Sequence, residues 1–447
     1  MHAVEALGLL KMDFLGLSNL TIIDKTLTLI KQNYGLQINL DTIPLDDKKT
    51  FQLFKAATTT GVFQLESSGM KRYLKTLKPS TFEDIIVMIS LYRPGPLDAG
   101  MVEEYIERKH GRKAVTYLLP TLEPILKNTY GIIVYQEQLM EIANNIAGFS
   151  LGQGYMLIKA VGKKIKSLLD EQRDKFVSGT IANGVTPTIA AKLWDFIEPF
   201  ARYGFNKSHA ACYAMIGYQT AYLKANFPVE YMTALLNSAS DDIERVAFLI
   251  DECQTMDIDI LPPDVNESRE TFAVATTLTQ ARPKIRFGLA AIKNAGINVV
   301  TQIIAERAAN DKFANIEDFV GRVHSKDMNK KLLEALVKAG ALDSFGERAA
   351  LLASMDQLLE YAKEHRTAAT SNQVSLFSAF AGPQLPALKL KEVAPATRAT
   401  RLLWEKELLG LYISDHPLKD FEDALSKHIG IQHIKEVSNR HGGKAKI

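Results

Sequence analysis

The chain has 447 residues, enough at about 150 residues per domain for about three domains; 47% are hydrophobic and 23% charged, which excludes a largely disordered, collagenous or peptide-hormone class. Lys and Arg number 53 against 51 Asp and Glu, and a net charge of +2 neither demands nor excludes a polyanionic partner, because local clusters decide that. Cys212 and Cys253 are too few for a disulfide scaffold and read as free thiols, and with neither a run of about 20 apolar residues nor a signal peptide the expectation is a cytoplasmic protein without membrane contact.

Along the chain, both ends read as cut. Residues 6–10 run into Lys11-Met12-Asp13-Phe14-Leu15-Gly16-Leu17 without a capping lead-in, and residues 442–447 stop as a strand begins. Asp13 lies in an alternating segment, where a carboxylate at a strand end can ligate Mg²⁺, a cation that prefers oxygen ligands. A metal pair needs more than one carboxylate, and no D-x-D lies beside it.

Helical periodicity dominates roughly the first 260 residues. In 137–147, Met140, Ala143 and Ala147 share a face with Leu139, Ile142 and Ile146 beside it, the pattern of a core helix. Arg93-Pro94-Gly95-Pro96-Leu97 reads as a rigid corner, since two prolines remove backbone donors and the glycine between them permits a sharp turn. Lys159, Lys163 and Lys166 fall at i, i+4, i+7, with Lys164 beside them: either a cationic stripe for phosphates or a solvated helix face. Phe200-Ala201-Arg202-Tyr203-Gly204-Phe205-Asn206-Lys207-Ser208-His209 interleaves cations with rings, as expected where bases stack and phosphates are held. His209 and Cys212 have no second pair of ligands near them in sequence, which argues against zinc.

Pro262 and Pro263 before Asp264 place a domain boundary near residue 263, and 284–289 alternates like a short strand. Two helical hairpins follow, joined at Ile292-Lys293-Asn294-Ala295-Gly296-Ile297 and at Leu336-Val337-Lys338-Ala339-Gly340-Ala341-Leu342. In each, the glycine would let a helix N-terminus face a phosphate with a lysine alongside; the alternative is simple packing. From 364 to about 400 the composition turns to Ala, Ser, Thr and Pro, a flexible linker by its lack of large apolar groups. Inside it, Gln373-Val374-Ser375-Leu376-Phe377 is an apolar island. Helical patterning resumes at Leu402 and should end at His416-Pro417.

Assembled in order, these segments resemble the bacterial C-family replicative DNA polymerases, the alpha subunits of DNA polymerase III. The resemblance rests on Leu10-Lys11-Met12-Asp13-Phe14-Leu15-Gly16-Leu17, Thr60-Gly61-Val62-Phe63-Gln64-Leu65-Glu66-Ser67-Ser68-Gly69-Met70, Tyr92-Arg93-Pro94-Gly95-Pro96-Leu97, Tyr130-Gly131-Ile132-Ile133-Val134-Tyr135-Gln136-Glu137-Gln138, Ala160-Val161-Gly162-Lys163-Lys164 and Tyr203-Gly204-Phe205-Asn206-Lys207-Ser208-His209. It implies a mainly α, multidomain chain. Residues 1–17 would be the end of the palm, 18–263 the fingers, 264–363 a tandem helix-hairpin-helix region, 364–400 a flexible linker, 401–432 a helical connector and 433–447 the start of an OB-fold.

The same resemblance implies template-directed addition of dNTPs to a primer 3′-OH by two-metal phosphoryl transfer. Asp13 would be the last of three catalytic, Mg²⁺-binding aspartates. The other two belong to a P-D-x-D-x-D motif that the 447 residues do not contain, so the chain alone is expected to be inactive. Lys11, Lys159, Lys163, Lys164, Arg202, Asn206, Lys207 and His209 would contact the incoming nucleotide or template. Lys293, Gly296, Lys338 and Gly340 would hold duplex DNA, and Gln373, Leu376 and Phe377 would bind the sliding clamp. Implied partners are primer-template DNA, dNTPs, the clamp and other replicase subunits, including a proofreading exonuclease and the clamp loader. The family often has consecutive arginines where this chain has Ile158-Lys159, and a glycine where it has Asn294. The alternatives are a non-catalytic DNA- and clamp-binding module and an error-prone relative.

Overall fold

The computed structural model describes residues 4, 7–10, 12, 14, 16–163, 166–275, 283–323, 328–370, 388–419 and 421. The expectations for Lys11, Asp13, Lys164, Gln373, Leu376 and Phe377, and for an OB-fold start, lie outside the described residues. The chain is mainly helical and packs as two compact units, 1–231 and 232–447. The division falls inside a helix, ahead of the break expected near residue 263.

Unit one contains α1 Ser18–Tyr34, α2 Lys48–Ala56, α3 Ser68–Leu77, α4 Phe82–Leu91, α5 Pro94–Asp98, α6 Met101–Lys109, α7 Glu123–Leu126, α8 Gln136–Ala147, α9 Leu151–Lys163, α10 Lys166–Ala182, α11 Pro187–Tyr203 and α12 Lys207–Asn226. Local chemistry fixes many starts. Asp47 accepts from Thr50 N and Ser67 from Met70 N, while Thr81 and Asp84 cap α4 reciprocally. The expected corner at 93–97 is instead the start of a helix, α5. Pro94 sits in its first turn, where a missing N–H costs nothing and a fixed φ helps. The lysine stripe falls partly outside the described residues: Lys159 and Lys163 belong to α9 and Lys166 opens α10, with 164–165 between them not described.

Among the described residues, two apolar cores hold the unit. One gathers Phe54, Val62, Leu65, Leu74, Ile85, Met88 and Tyr218. The other gathers Leu126, Leu139, Ile142, Phe176, Leu193 and Trp194. The extended segment before α8 serves both by strand alternation: Ile132 and Val134 enter the first core and Ile133 the second. Phe200 of α11 packs against both.

Two buried charged groups of unit one are held by several partners each. Lys224 Nζ donates to the carbonyls of Thr58 and Thr60, each at 2.9 Å. Asp84, 1% exposed, accepts from Ser80 N at 2.8 Å, Thr81 N at 3.0 Å, Lys109 Nζ at 2.5 Å and Tyr105 OH at 3.1 Å.

Unit two begins within α13 Pro228–Ser238 and continues through α14 Ile243–Thr255. A small sheet follows, β1 Asp259–Leu261, β2 Ala273–Val274 and β3 Lys284–Arg286, in the order β1-β3-β2. β1 pairs parallel to β3 (Asp259 with Lys284) and β2 antiparallel to it (Val274 with Ile285). Then come α15 Ile297–Asn310, α16 Ile316–Arg322, α17 Lys330–Lys338, α18 Arg348–Ala353, α19 Met355–Thr370 and α20 Arg398–Leu409.

Four expectations change here. The first hairpin opens with a single 3₁₀ turn, Leu289–Ala291, rather than a full helix. Residues 364–370 continue α19 instead of starting a linker. The chain at 388–397 is pinned, with Lys391 N donating to Ser354 Oγ at 2.8 Å and Ala396 N to Glu347 Oε1 at 2.9 Å. Finally, α20 turns off at Gly410, before His416-Pro417.

Asp84 gives the first prediction. Burial pushes its pKa up, but Lys109 and the N–H groups of Ser80 and Thr81 outweigh it and leave the carboxyl below its usual range. A depressed folded-state pKa adds stability that is fully present above about pH 4 and lost as pH falls through the folded value. Asp84→Asn is therefore expected to cost about 3 kcal/mol at pH 7 in denaturant unfolding, with the gap to the parent closing below pH 4. An unchanged midpoint at pH 7 contradicts this account.

Candidate functional site

The turn between α11 and α12 is where three separated motifs meet. Phe205 forms a parallel bridge with Tyr135: Phe205 N donates to Val134 O at 3.1 Å, and Gln136 N donates to Phe205 O at 2.9 Å. Gln136 Nε2 adds a bond to Gly204 O at 3.2 Å. The next residue, Glu137, accepts from Lys207 N at 3.0 Å on each oxygen and from Asn206 Nδ2 at 3.1 Å. Asn206 Oδ1 then caps α12 through His209 N at 2.7 Å.

The third motif closes on the same turn. The Arg93 guanidinium lies 4.8 Å from the Phe205 ring centroid, and its Nε donates to Ser90 O at 2.9 Å. Its Nη2 is buried without a hydrogen-bond partner, and burial lowers its pKa. Only glycine fits at position 95, because an added Cβ would overlap Cδ1 and Cε1 of Tyr203.

A file of rings runs from this turn. His209 lies 5.6 Å from Phe205 and 4.4 Å from Tyr213, which in turn lies 5.2 Å from Phe63. Lys207 Nζ is 5.4 Å from the Tyr135 ring centroid. Asn206, Lys207, Ser208 and His209 are exposed. Because Glu137 and Asn206 already engage the first N–H groups of α12, what this surface offers an anion is the Lys207 ammonium and what it offers a base is ring faces.

The structure thus brings Asn206, Lys207 and His209 together. Arg202 belongs to α11 and Lys163 to the last turn of α9. Lys159 is exposed on α9, while Ile158, where the resemblance often has an arginine, is buried, leaving one cation at that pair. Sequence reasoning passed over Arg93, Tyr135 and Glu137. All three stood inside quoted motifs, with Arg93 read as part of a corner and Glu137 as the start of a core helix; the unspent signal was a charged residue in each motif.

The two hairpins of unit two differ. At the first, Lys293 and Asn294 are exposed, and Asn294 holds φ +72°, a left-handed conformation that asparagine tolerates in place of glycine. No side chain caps the N-terminus of α15 after Gly296, an arrangement open to a phosphate.

The second hairpin is built differently. Gly340 is needed at φ +85° and by the close approach of Arg348, which also binds Lys338 O at 3.0 Å and Asp343 at 2.8 Å through each of two nitrogens. The helix that follows is capped by the Glu347 carboxylate, accepting from Ala349 N at 2.6 Å and Ala350 N at 3.2 Å. A carboxylate at that helix start disfavours a phosphate there, which sets this hairpin apart from the first.

Among the described residues no group of three or more His, Cys, Asp or Glu is placed to hold a metal ion, which leaves the Mg²⁺ expectation without a ligand set there. Cys212 is exposed and Cys253 buried, and neither is in a disulfide. No described helix is long and apolar enough to cross a membrane.

Residues 19–184 match a family model described as the bacterial DNA polymerase III alpha subunit finger domain, and residues 257–351 one described as a helix-hairpin-helix motif. The chain is 47% identical to the DNA polymerase III subunit alpha of Thermus aquaticus, over 100% of this chain and 36% of that protein. It is 43% identical to the protein of that name from Pseudomonas aeruginosa (95% of this chain, 38% of that protein) and 40% identical to that of Escherichia coli K12 (99% and 38%). The chain spans about a third of the length of these relatives.

The Glu137 clasp is directly measurable. Charge-assisted bonds of this kind contribute roughly 1.5–3 kcal/mol, so Glu137→Ala is expected to speed amide exchange at Lys207 by about tenfold or more. Exchange at the parent rate would show that the carboxylate does not hold the turn.

Proposed function

We propose that this chain, which belongs to the bacterial DNA polymerase III alpha-subunit family, supplies the fingers and the duplex-holding region of a replicative DNA-directed DNA polymerase. The observation that carries the reading is the convergence of Arg93-Pro94-Gly95-Pro96, Tyr135-Gln136-Glu137 and the 203–209 turn into one rigid surface that exposes Lys207 and His209. Rigid backing suits a surface that must meet a nucleotide in one orientation.

In this reading Lys159 and Lys207 attract the triphosphate and the template backbone as point charges, with Lys163, Lys164 and Arg202 contributing from the adjoining segments. Asn206 holds the start of α12, and His209 offers its ring to a base. By the resemblance, Lys11 contacts the incoming phosphates and Asp13 is one of the catalytic aspartates of the palm segment, 1–17. Mg²⁺, when bound, supplies two-metal phosphoryl transfer from the dNTP to the primer 3′-OH. The described residues only bind and orient.

Residues 264–363 hold duplex DNA chiefly through Lys293 and the open start of α15 after Gly296. Gln373, Leu376 and Phe377 tether the sliding clamp, Leu376 and Phe377 filling an apolar pocket. The proofreading exonuclease and clamp loader complete the replicase, in the cytoplasm.

Three outcomes test the parts. The 447-residue chain alone is expected not to extend a primer with Mg²⁺ and dNTPs, since it lacks P-D-x-D-x-D; template-dependent extension would refute this. Lys293→Ala should lower duplex affinity and reduce the slope of log affinity against log salt by about 0.9, the value for one lost phosphate contact; an unchanged slope removes the residue from the interface. Leu376→Ala with Phe377→Ala should abolish capture of the chain on immobilised clamp, and full retention would remove the tether.

A further inference from the structure

The outer face of α9 exposes large apolar side chains. Its inner residues Leu157, Ile158 and Ala160 are buried at 1%, 9% and 0% exposure, which fixes the rotation of the helix. The opposite face then presents Leu151 at 70%, Tyr155 at 60% and Met156 at 43% exposure, leading to exposed Lys159. Leu151, Tyr155 and Lys159 fall at i, i+4 and i+8, a single stripe about 12 Å long at 1.5 Å per residue. The helix is well set to carry it, because Ser150 and Gln153 cap its start reciprocally, at 2.8 and 3.3 Å.

A ring standing in water one turn from a lysine does not contribute to the core, and the lysine argues against a protein partner, since lysine is depleted where protein interfaces close. Ring plus cation on one exposed face is the arrangement that holds single-stranded nucleic acid, the ring taking a base and the ammonium a phosphate. We infer that Tyr155 is a base-stacking residue for an unpaired nucleotide of single-stranded DNA, held next to a phosphate on Lys159. The inference rests on the reading of Lys159 as a nucleic-acid contact, and it adds a residue that no motif of the sequence singled out.

The test uses the full 447-residue chain and two labelled oligonucleotides of equal length, oligothymidylate and its abasic counterpart, followed by fluorescence anisotropy at several salt concentrations. The parent chain should prefer oligothymidylate. Tyr155→Ala should weaken oligothymidylate binding by about 5- to 150-fold, the range for loss of one base-aromatic stack, and shrink its preference over the abasic strand by the same factor. Tyr155→Phe should retain both affinity and preference, and unchanged circular dichroism and melting should accompany each variant. Tyr155→Ala that keeps the preference for bases, or a parent chain that binds both strands equally, overturns the proposal.

Lys159→Ala separates this from the reading beneath it. That variant should lower affinity for both strands alike and reduce the salt slope by about 0.7. If the slope stays the same while Tyr155→Ala still shrinks the preference, the phosphate role of Lys159 fails and the stacking role of Tyr155 stands.

Discussion

Two backbone hydrogen bonds, from Phe205 N to Val134 O and from Gln136 N to Phe205 O, set the geometry on which unit one depends. They tie the start of α8 to the start of α12 although the two are about seventy residues apart in sequence, a loop whose closure entropy must be offset by packing. The offset comes from the segments on both sides: Ile132, Ile133 and Val134 divide between two cores, and Phe200 joins them. With the bridge fixed, Glu137 lies where the first amide of α12 needs an acceptor, and Arg93 lies against the face of Phe205.

The exposed end of α12 is rigid because its other end is deeply engaged. Tyr218 donates to Pro44 O at 2.6 Å, Thr220 accepts from Phe63 N at 3.2 Å, and Lys224 holds two carbonyls of the 58–60 loop. Burial pushes the Tyr218 phenol up to about 12, so it stays a donor across the working pH range. Such buried polar contacts are costly to leave half made, and they fix one register of the helix over the loop. The arrangement explains how a small set of charged and aromatic residues at 205–209 can be both solvent-facing and well oriented.

Much of this was legible in the sequence and some of it was not. The amphipathic pattern of 137–147 foretold a core helix, and the mixture of cations and rings at 200–209 marked the exposed turn. What periodicity could not show was the long-range pairing: Arg93 looked like part of a proline corner, and only the fold puts its guanidinium on a ring from residue 205. Prolines were read as breakers where Pro94 starts a helix, because a first-turn proline and a terminating proline look alike without the flanking cap. The two hairpins looked equivalent in sequence, each with a lysine and a glycine. The difference is Glu347, several residues downstream of the glycine, which caps the second helix start while the first is left without a side-chain cap. The stripe of Leu151, Tyr155 and Lys159 was hidden for the opposite reason, since burial of its neighbours had to be known before its exposure meant anything.

The central claim is that the 203–209 turn, backed by Arg93 and Glu137, is the surface at which unit one meets nucleic acid. Hydrogen exchange of the 447-residue chain, with and without a primer-template duplex bearing a single-stranded overhang, tests it most directly. The account predicts slowed exchange on DNA addition in the first turns of α12 and along α9. Protection confined to other segments of unit one, with those two unchanged while DNA is bound, would contradict it.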